Sequence, residues 1–310
     1  MSEVFFSDLD LVEPTYNLNI NGGTHGAMTG RMLTEAEKVM MAEKPDIVLV
    51  YGDTNSTLAG SLAAVKLHIP VAHVEAGLRS FHMAMPEEVN RILTDQISEW
   101  LFCPTERAME NLRREGFASR PVKIFQVGDV MQDAAIFFSP LARRPKELAA
   151  GIPYILATLH RAENTDDPTR LGSILSALNR LQKNVPVVVP LHPRTRAAIR
   201  KMGLDLDCHV LDPVGYLEIL WLLDHCCLVV TDSGGMQKEA FFFGKPCVTT
   251  RDQTEWTELV EMGANALAGT ESTGIVTAAE RMIGRKIDDV HSLYGGGRAS
   301  ERIVEKLAGM

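Results

Sequence analysis

The sequence predicts an α/β protein built from two doubly wound parallel units with a crevice between them. Two observations carry that expectation. Short β-rich apolar runs alternate with amphipathic segments at helical period, and the runs come in two series separated by a polar, proline-containing stretch. Open parallel sheets bind ligands beyond the carboxyl ends of their strands, so the chemistry is sought there.

The first series of strand runs lies at 47–51, 70–74, 100–103 and 124–127. The second lies at 154–158, 185–189, 209–211, 228–231 and 247–249. The segments between them read as helices. Over 26–43, for instance, Met28, Met32, Leu33, Ala36, Val39 and Met40 fall on one face, and Pro45 breaks the run. The stretch around 136–152, with SPLARRPKELAAGIP, has no strand signal and marks the junction. The expected domains are 1–140 and 141–296, with a closing helix at 297–310.

Composition narrows the function. At 310 residues with 45% apolar content, the chain can bury a substantial core. Its 31 basic and 40 acidic residues leave a net charge of -9, and no basic stripe is interleaved with aromatics, which argues against nucleic acid as a partner. A bound phosphate must then be held by a few local groups. The five cysteines show no CxxC spacing, and four sit in apolar runs, so they read as buried free thiols of a reducing cytoplasm. No apolar stretch reaches the length of a membrane span, and the opening MSEVFFSDLDLVEP lacks a basic n-region.

Several strand ends carry groups that could do chemistry. In GDTNST, Asp53 follows a buried strand, where it reads equally as a helix cap or as an acid at the crevice edge. In HVEAGLRS, Glu75 ends the next strand and reads as a site carboxylate or as a surface partner of Arg79. In MPEEVNR, Pro86 suits the first turn of a helix, and Glu87 and Glu88 suit its positive N-terminal dipole. In the second half, TLHRAEN puts His160 and Arg161 at a strand end. PLHPRTR adds His192, Arg194 and Arg196, as diphosphate ligands or as a solvated basic loop.

The sharpest signal is TDSGGMQKEAFFFGKP. A strand runs into Ser233, Gly234 and Gly235 and then into a helix whose free N–H groups suit an anion, and Glu239 lies one turn in, where it can reach ribose hydroxyls. Asp8-Leu9-Asp10 matches a short acidic motif of metal-dependent glycosyltransferases, but no strand precedes it, so it reads as solvated. Gly295-Gly296-Gly297 also lacks a preceding strand. No cysteine and histidine cluster has zinc spacing, so no metal is expected, and no GxxxxGK[ST] loop is present.

Taken in order, GDTNST, HVEAGLRS, MPEEVNR, LFCPTE, VGDVMQD, TLHRAEN, TDSGGMQKEAFFFGKP, RDQTEWTE and YGGGRASERI resemble the blocks of the non-hydrolysing UDP-N-acetylglucosamine 2-epimerase family over nearly the whole chain. The resemblance implies two Rossmann-like domains of the GT-B type with a cleft between them, the nucleotide in the C-terminal domain, and no added cofactor. It implies elimination of UDP to a glycal-like intermediate, followed by re-addition after proton return to the opposite face of C2. Asp53, Glu75 and Glu87 would be the acid and base candidates, and His160 would contact the leaving diphosphate. Ser233, Gly234 and Gly235 would form the phosphate turn, with Glu239 on the ribose and Arg91, Arg161, His192, Thr254 and Glu255 as further substrate contacts.

The expected reaction interconverts UDP-N-acetylglucosamine and UDP-N-acetylmannosamine for surface polysaccharide, in a cytoplasmic homodimer. The RDQTEW variant resembles members acting on a UDP-diacetamido-glucuronate analogue, which is the alternative substrate. Family members also begin with a strand, a basic glycine-rich turn, a helix and a second strand, whereas this chain starts inside the pattern. Exposed strand edges in the first sheet, and a nucleotide-sugar binder without turnover, are the corresponding expectations. A GT-B glycosyltransferase is the remaining alternative.

Overall fold

Every strand pairing among the described residues is parallel, in one four-stranded and one six-stranded sheet. The computed structural model describes residues 8–148, 151–288, 290 and 292–309. The opening residues 1–7, and residues 149 and 150 of the polar junction stretch, lie outside the described residues. The chain divides into two units. One holds 13–133 and the chain from Ser292 on, and the other holds 134–291 with the stretch up to Val12.

In the first unit, β1 (Val48–Tyr51), β2 (Val71–Val74), β3 (Trp100–Cys103) and β4 (Lys123–Gln126) lie side by side in chain order. Each strand steps outward through a helix: α1 (His25–Glu43) precedes β1, and α2 (Asn55–Lys66), α3 (Pro86–Ile97) and α4 (Glu106–Arg114) join the strands. A sheet that grows in one direction leaves β1 as an edge among the described residues, with Tyr51 exposed. Thr24 caps α1 by accepting from Ala27 N–H, and Lys44 ends it in the left-handed region just before Pro45. None of its residues is fully buried, so the apolar face read from the sequence is only half covered.

Aromatic stacking builds the core on one face of this sheet. Phe125 stacks on Trp100 and on Phe102 with ring centroids 5.8 Å apart in both pairs. Ile303, from the closing helix α13 (Ala299–Ala308), joins the same cluster, where burying its side chain contributes roughly 1.5–3 kcal/mol. Asp133, in α5 (Val130–Phe138), fixes the start of that helix by accepting from the N–H of Ala299 (3.1 Å) and Ser300 (2.7 Å). The glycine run set aside in the sequence has a structural use here, because Gly296 and Gly297 donate to Gln132 Oε1.

The second unit orders its strands β10-β9-β8-β5-β6-β7. These are β5 (Ile155–Thr158), β6 (Val187–Pro190), β7 (His209–Leu211), β8 (Leu228–Thr231), β9 (Cys247–Thr249) and β10 (Asn265–Leu267). The sequence reading missed β10, whose Asn-Ala-Leu offers neither a β-branched residue nor an apolar run. From β5 the chain moves out to β6 and β7, then crosses back to β8 on the other side. That reversal leaves a crevice at the carboxyl ends of β5 and β8.

Helices cover both faces of this sheet. On one, α7 (Pro168–Gln182) and α12 (Ser272–Met282) bury Leu171, Leu178, Ile275 and Met282 against Ile155, Val187 and Val230. On the other, α9 (Tyr216–His225) and α10 (Gly234–Phe242) bury Leu222, Leu223 and Ala240 against Leu156, Val188 and Val229. The alternation along β5, with Ile155 to one side and Leu156 to the other, explains why these strands read as unbroken apolar runs. All five cysteines are free thiols, with Cys103, Cys226 and Cys247 buried and Cys208 and Cys227 only half-buried. Among the described residues, no helix is long and apolar enough to cross a membrane.

Candidate active site

The crevice between β5 and β8 is held open by short polar contacts. Thr158 and Thr231, at the ends of the two strands, share a hydroxyl hydrogen bond of 2.6 Å. The next residue on the β8 side, Asp232, is fully buried, and its carboxylate accepts from His160 N–H (3.2 Å), Arg161 N–H (3.1 Å) and Asn164 Nδ2 (3.2 Å). One carboxylate thus fixes the loop that carries His160. The His160 ring stays half exposed with Nδ1 3.3 Å from Asp232 Oδ1, which leaves Nε2 as its remaining polar atom.

Ser233 caps α10 by accepting from Met236 N–H at 3.3 Å. The first-turn N–H groups of a helix have no intrahelical acceptor, so the Gly234–Gly235 end is suited to an anion. A side chain at 234 would also crowd the turn: a Cβ there would sit 2.3 Å from Glu255 Oε1, so the carboxylate or the turn would have to move. Glu255, just ahead of the short helix α11 (Thr257–Glu261), is buried and pairs with Arg251 at 3.1 Å, while Thr254 donates its hydroxyl to Gln237 Oε1 at 2.7 Å. Both residues therefore pack beneath the start of α10. Beside the turn lies a cavity of about 200 Å³ bounded by Thr158, His160, His192 and Ser233, with Val214 and Ile219 as apolar wall.

The other residues expected in this half divide between scaffold and open surface. His192 caps α8 (Pro193–Met202), where its Nδ1 accepts from Arg194 N–H at 3.2 Å, and it also lines the cavity. Arg194 and Arg196 form surface ion pairs with Asp166 and Asp212, each at 2.7 Å, so the solvated reading holds for both. Arg161 begins the short helix α6 (Ala162–Thr165) with its side chain half-buried. Glu239 is buried and hydrogen-bonded to Tyr216. Burial, followed by the charge and hydrogen bond of Glu239, pushes the Tyr216 hydroxyl above the usual tyrosine range.

The three carboxylates expected to do acid and base chemistry all belong to the first unit. Asp53 follows Gly52 at the end of β1, and its carboxylate forms an ion pair with Arg91. Asn90 donates to its carbonyl at 2.9 Å. Glu75 ends β2 with φ 70°, a left-handed conformation that costs a non-glycine residue of order 1–3 kcal/mol and persists only where the surroundings impose it. Its Oε2 lies 3.2 Å from the position a Cβ would take on Gly52, so the Glu75 carboxylate rests on the residue preceding Asp53. Glu87 lies in the first turn of α3 and is half-buried.

The structure separates the two adjacent glutamates that the sequence left alike. Glu88 is fully buried and accepts from Ser80 N–H and Oγ (both 2.9 Å), Phe81 N–H (2.9 Å) and Arg91 (2.8 Å). It fixes the loop before α3, whereas Glu87 keeps access to solvent. Arg91 is itself buried between Asp53 and Glu88, so it orients an acid. The surface pairing of Glu75 with Arg79 does not occur, because Arg79 is buried against Asp95 and Glu115, each at 2.7 Å.

Sequence reasoning did not foresee the buried groups that hold these residues in each unit. Asp232, Glu88, Asn90, His73 and Asp95 all act from buried positions. Asp95 lies one helical turn after Arg91, a spacing that puts both on one side of α3. Burial pulls its carboxyl pKa up, but the hydrogen bond and charge of His73 and the charge of Arg79 outweigh it and hold the group below the usual carboxylate range.

Comparison with known proteins adds a family. The family model described as UDP-N-acetylglucosamine 2-epimerase matches residues 1–308. A Pseudomonas aeruginosa UDP-2,3-diacetamido-2,3-dideoxy-D-glucuronate 2-epimerase is 64% identical over 99% of this chain and 87% of its own length. A UDP-N-acetylglucosamine 2-epimerase of Methanocaldococcus jannaschii is 45% identical over 99% of this chain and 87% of its own. The crystal structure of M. jannaschii UDP-GlcNAc 2-epimerase with UDP-GlcNAc and UDP covers all of this chain and 88% of that one, at 44% identity and a TM-score of 0.92. The Neisseria meningitidis enzyme bound to UDP-GlcNAc gives 32% identity and a TM-score of 0.88 over 98% of this chain and 88% of that one. The α/β fold with two parallel sheets is the GT-B type shared with these structures.

Proposed function

Because the chain belongs to the UDP-N-acetylglucosamine 2-epimerase family, we propose that it inverts C2 of UDP-2,3-diacetamido-2,3-dideoxy-glucuronate. The 64% identity to a P. aeruginosa enzyme of that name, over 99% of the chain, carries the choice of sugar. The RDQTEW segment, which resembles members acting on that substrate, agrees with it.

The chemistry needs proton transfer on two faces of C2 and a held leaving group. A carboxylate removes the C2 proton as the bond from C1 to the UDP oxygen breaks, giving a 1,2-unsaturated sugar and UDP. A carboxylic acid then returns a proton to the opposite face of C2 as a UDP oxygen rebonds to C1. Asp53, Glu75 and Glu87 take these acid and base roles. The start of α10, with Ser233, Gly234 and Gly235, receives the diphosphate, His160 stabilises it on departure, and Glu239 holds the ribose. The cavity walled by Val214 and Ile219 suits the flat pyrimidine. The free thiols fit a cytoplasmic enzyme, and the family resemblance suggests a homodimer.

A second reading, UDP-N-acetylglucosamine as substrate, is favoured by the relatives at 45% identity and below. Incubating the chain with each UDP-sugar in deuterated water, and following C2 deuterium and the manno epimer by NMR, separates the two. Exchange with the diacetamido-glucuronate substrate at ~100-fold or more the rate seen with UDP-N-acetylglucosamine is expected, a ratio within reach of a site built for polar groups. The reverse preference would transfer the assignment to UDP-N-acetylglucosamine. UDP binding without exchange on either sugar would make the chain a nucleotide-sugar binder.

A further inference from the structure

Three side chains, His73, Arg79 and Asp95, are sealed beneath the tips of β1 and β2, and none of them belongs to the acid and base set. His73 and Asp95 are fully buried, the Arg79 side chain is 1% exposed, and Glu115 closes the set from the rim. A buried ion cluster of this kind gains little stability over apolar packing of equal volume, so its position calls for another reason.

The His73 ring touches an acceptor with each nitrogen. Nε2 lies 2.8 Å from the carbonyl oxygen of Gly52, which can only accept, so Nε2 carries a proton. Nδ1 lies 2.7 Å from Asp95 Oδ1. The other oxygen of Asp95 receives Arg79 Nη1 at 2.7 Å and Gly77 N–H at 3.1 Å, contacts that favour an ionised carboxylate. Nδ1 therefore donates as well, and a ring donating from both nitrogens is an imidazolium. With His73 and Arg79 positive and Asp95 and Glu115 negative, the cluster closes at zero net charge.

The ends of this chain of contacts fall at two particular places. Gly52, at φ 65°, immediately precedes Asp53, and Gly77, at φ 79°, comes two residues after the strained Glu75. A Cβ at Gly77 would lie 2.4 Å from the Ala108 carbonyl oxygen, so this turn is also pinned from below. Gly52 carbonyl, His73, Asp95 and Gly77 N–H thus form one hydrogen-bonded line joining the turn after β1 to the turn after β2. We propose that His73, as an imidazolium clamped by Asp95 and Arg79, is a positioning residue that sets the spacing between Asp53 and Glu75. The catalytic part of this inference rests on the proposed acid and base roles of those two carboxylates.

The first test does not depend on activity. In the chain with ¹⁵N-labelled histidine at pH 7.5, the His73 ring, identified among nine histidines by its loss in His73→Gln, should show two protonated nitrogens. A ring with one bare nitrogen would overturn the proposal, and the wild-type chain alone suffices for this reading. The second test compares Asp95→Asn with Ile303→Val, a core change in the same unit. Asp95→Asn should lower kcat for C2 exchange by ~100-fold with KM and UDP affinity held within about twofold, the scale expected when reacting groups shift by about 1 Å. At a matched loss of thermal midpoint, Ile303→Val should leave kcat unchanged. Equal kcat losses in the two variants would reduce the clamp to ordinary stability. A wild-type chain that exchanges neither UDP-sugar, yet keeps the doubly protonated ring, would overturn the acid and base reading and the positioning role while leaving the buried imidazolium standing.

Discussion

At the tips of β5 and β8 the chain presents helix-end N–H groups, glycine and a hydroxyl cap around an open cavity, whereas at the tips of β1 and β2 it presents half-exposed carboxylates with buried ion pairs behind them. Both are strand ends of parallel sheets, yet the means of holding differ. A diphosphate is large, carries fixed charge and needs donors, which backbone N–H groups supply without depending on protonation state. In the proposed reaction, carboxylates that both take and give a proton need their angle and spacing fixed to fractions of an ångström, and for Asp53 that holding comes from Arg91, itself fixed by Glu88, and from Asn90. Under the proposed function, the second unit is the grip and the first the chemistry.

The largest expected effect tests this division directly. Glu87→Gln keeps the shape of the first turn of α3 and removes only the proton-carrying group. C2 exchange should fall ~1000-fold, within the range for loss of a general acid or base, while UDP affinity measured by calorimetry stays within about twofold. A comparable loss of UDP binding would mean that the first unit grips the nucleotide too, and the comparison would fail.

The converse change is made at the phosphate turn. Gly234→Ala would place a Cβ 2.3 Å from Glu255 Oε1, so either the carboxylate or the start of α10 must move. UDP affinity should drop by roughly 10- to 100-fold, the value of one or two charge-assisted hydrogen bonds to the diphosphate. At saturating substrate, kcat should change far less than affinity. Unchanged UDP binding would show that the anion sits elsewhere than the start of α10.

How far each region could be read from the sequence follows from how local its contacts are. The nine expected strand runs correspond to nine strands because each carries β-branched or aromatic apolar residues, and β10 escaped because Asn265-Ala266-Leu267 carries none. The turn at Ser233 to Gly235 was legible because cap, glycines and helix are consecutive. The clamps were not, since Arg91 reaches Asp53 across 38 positions, His73 reaches Asp95 across 22, and Arg79 reaches Asp95 across 16. Residue types can suggest such pairs, but only the fold selects among them. Arg79 shows the consequence: its neighbour in sequence, Glu75, was the natural partner to guess, and its partners in space are Asp95 and Glu115.

A smaller effect, on stability with pH, sharpens the same contrast. Asp95 is fully buried, and its ion pairs with His73 and Arg79 hold its pKa below the ordinary 3.8 despite the opposing effect of burial. A carboxyl group with a lower pKa in the folded state contributes stability that is fully present above the unfolded value and is lost as pH falls through the folded one. The first unit should therefore weaken below about pH 4, as Asp95 gains its proton. Trp100 stacks in the core of the first unit, while Trp221 and Trp256 belong to the second, so a chain with the latter two changed to phenylalanine reports on the first unit alone. Denaturant midpoints from Trp100 fluorescence should decline between pH 4 and 3, and Asp95→Asn should lower the midpoint at neutral pH while flattening that decline. An unchanged slope in Asp95→Asn would assign acid sensitivity to other carboxylates and remove the clamp from the list of what holds β1 and β2 in register.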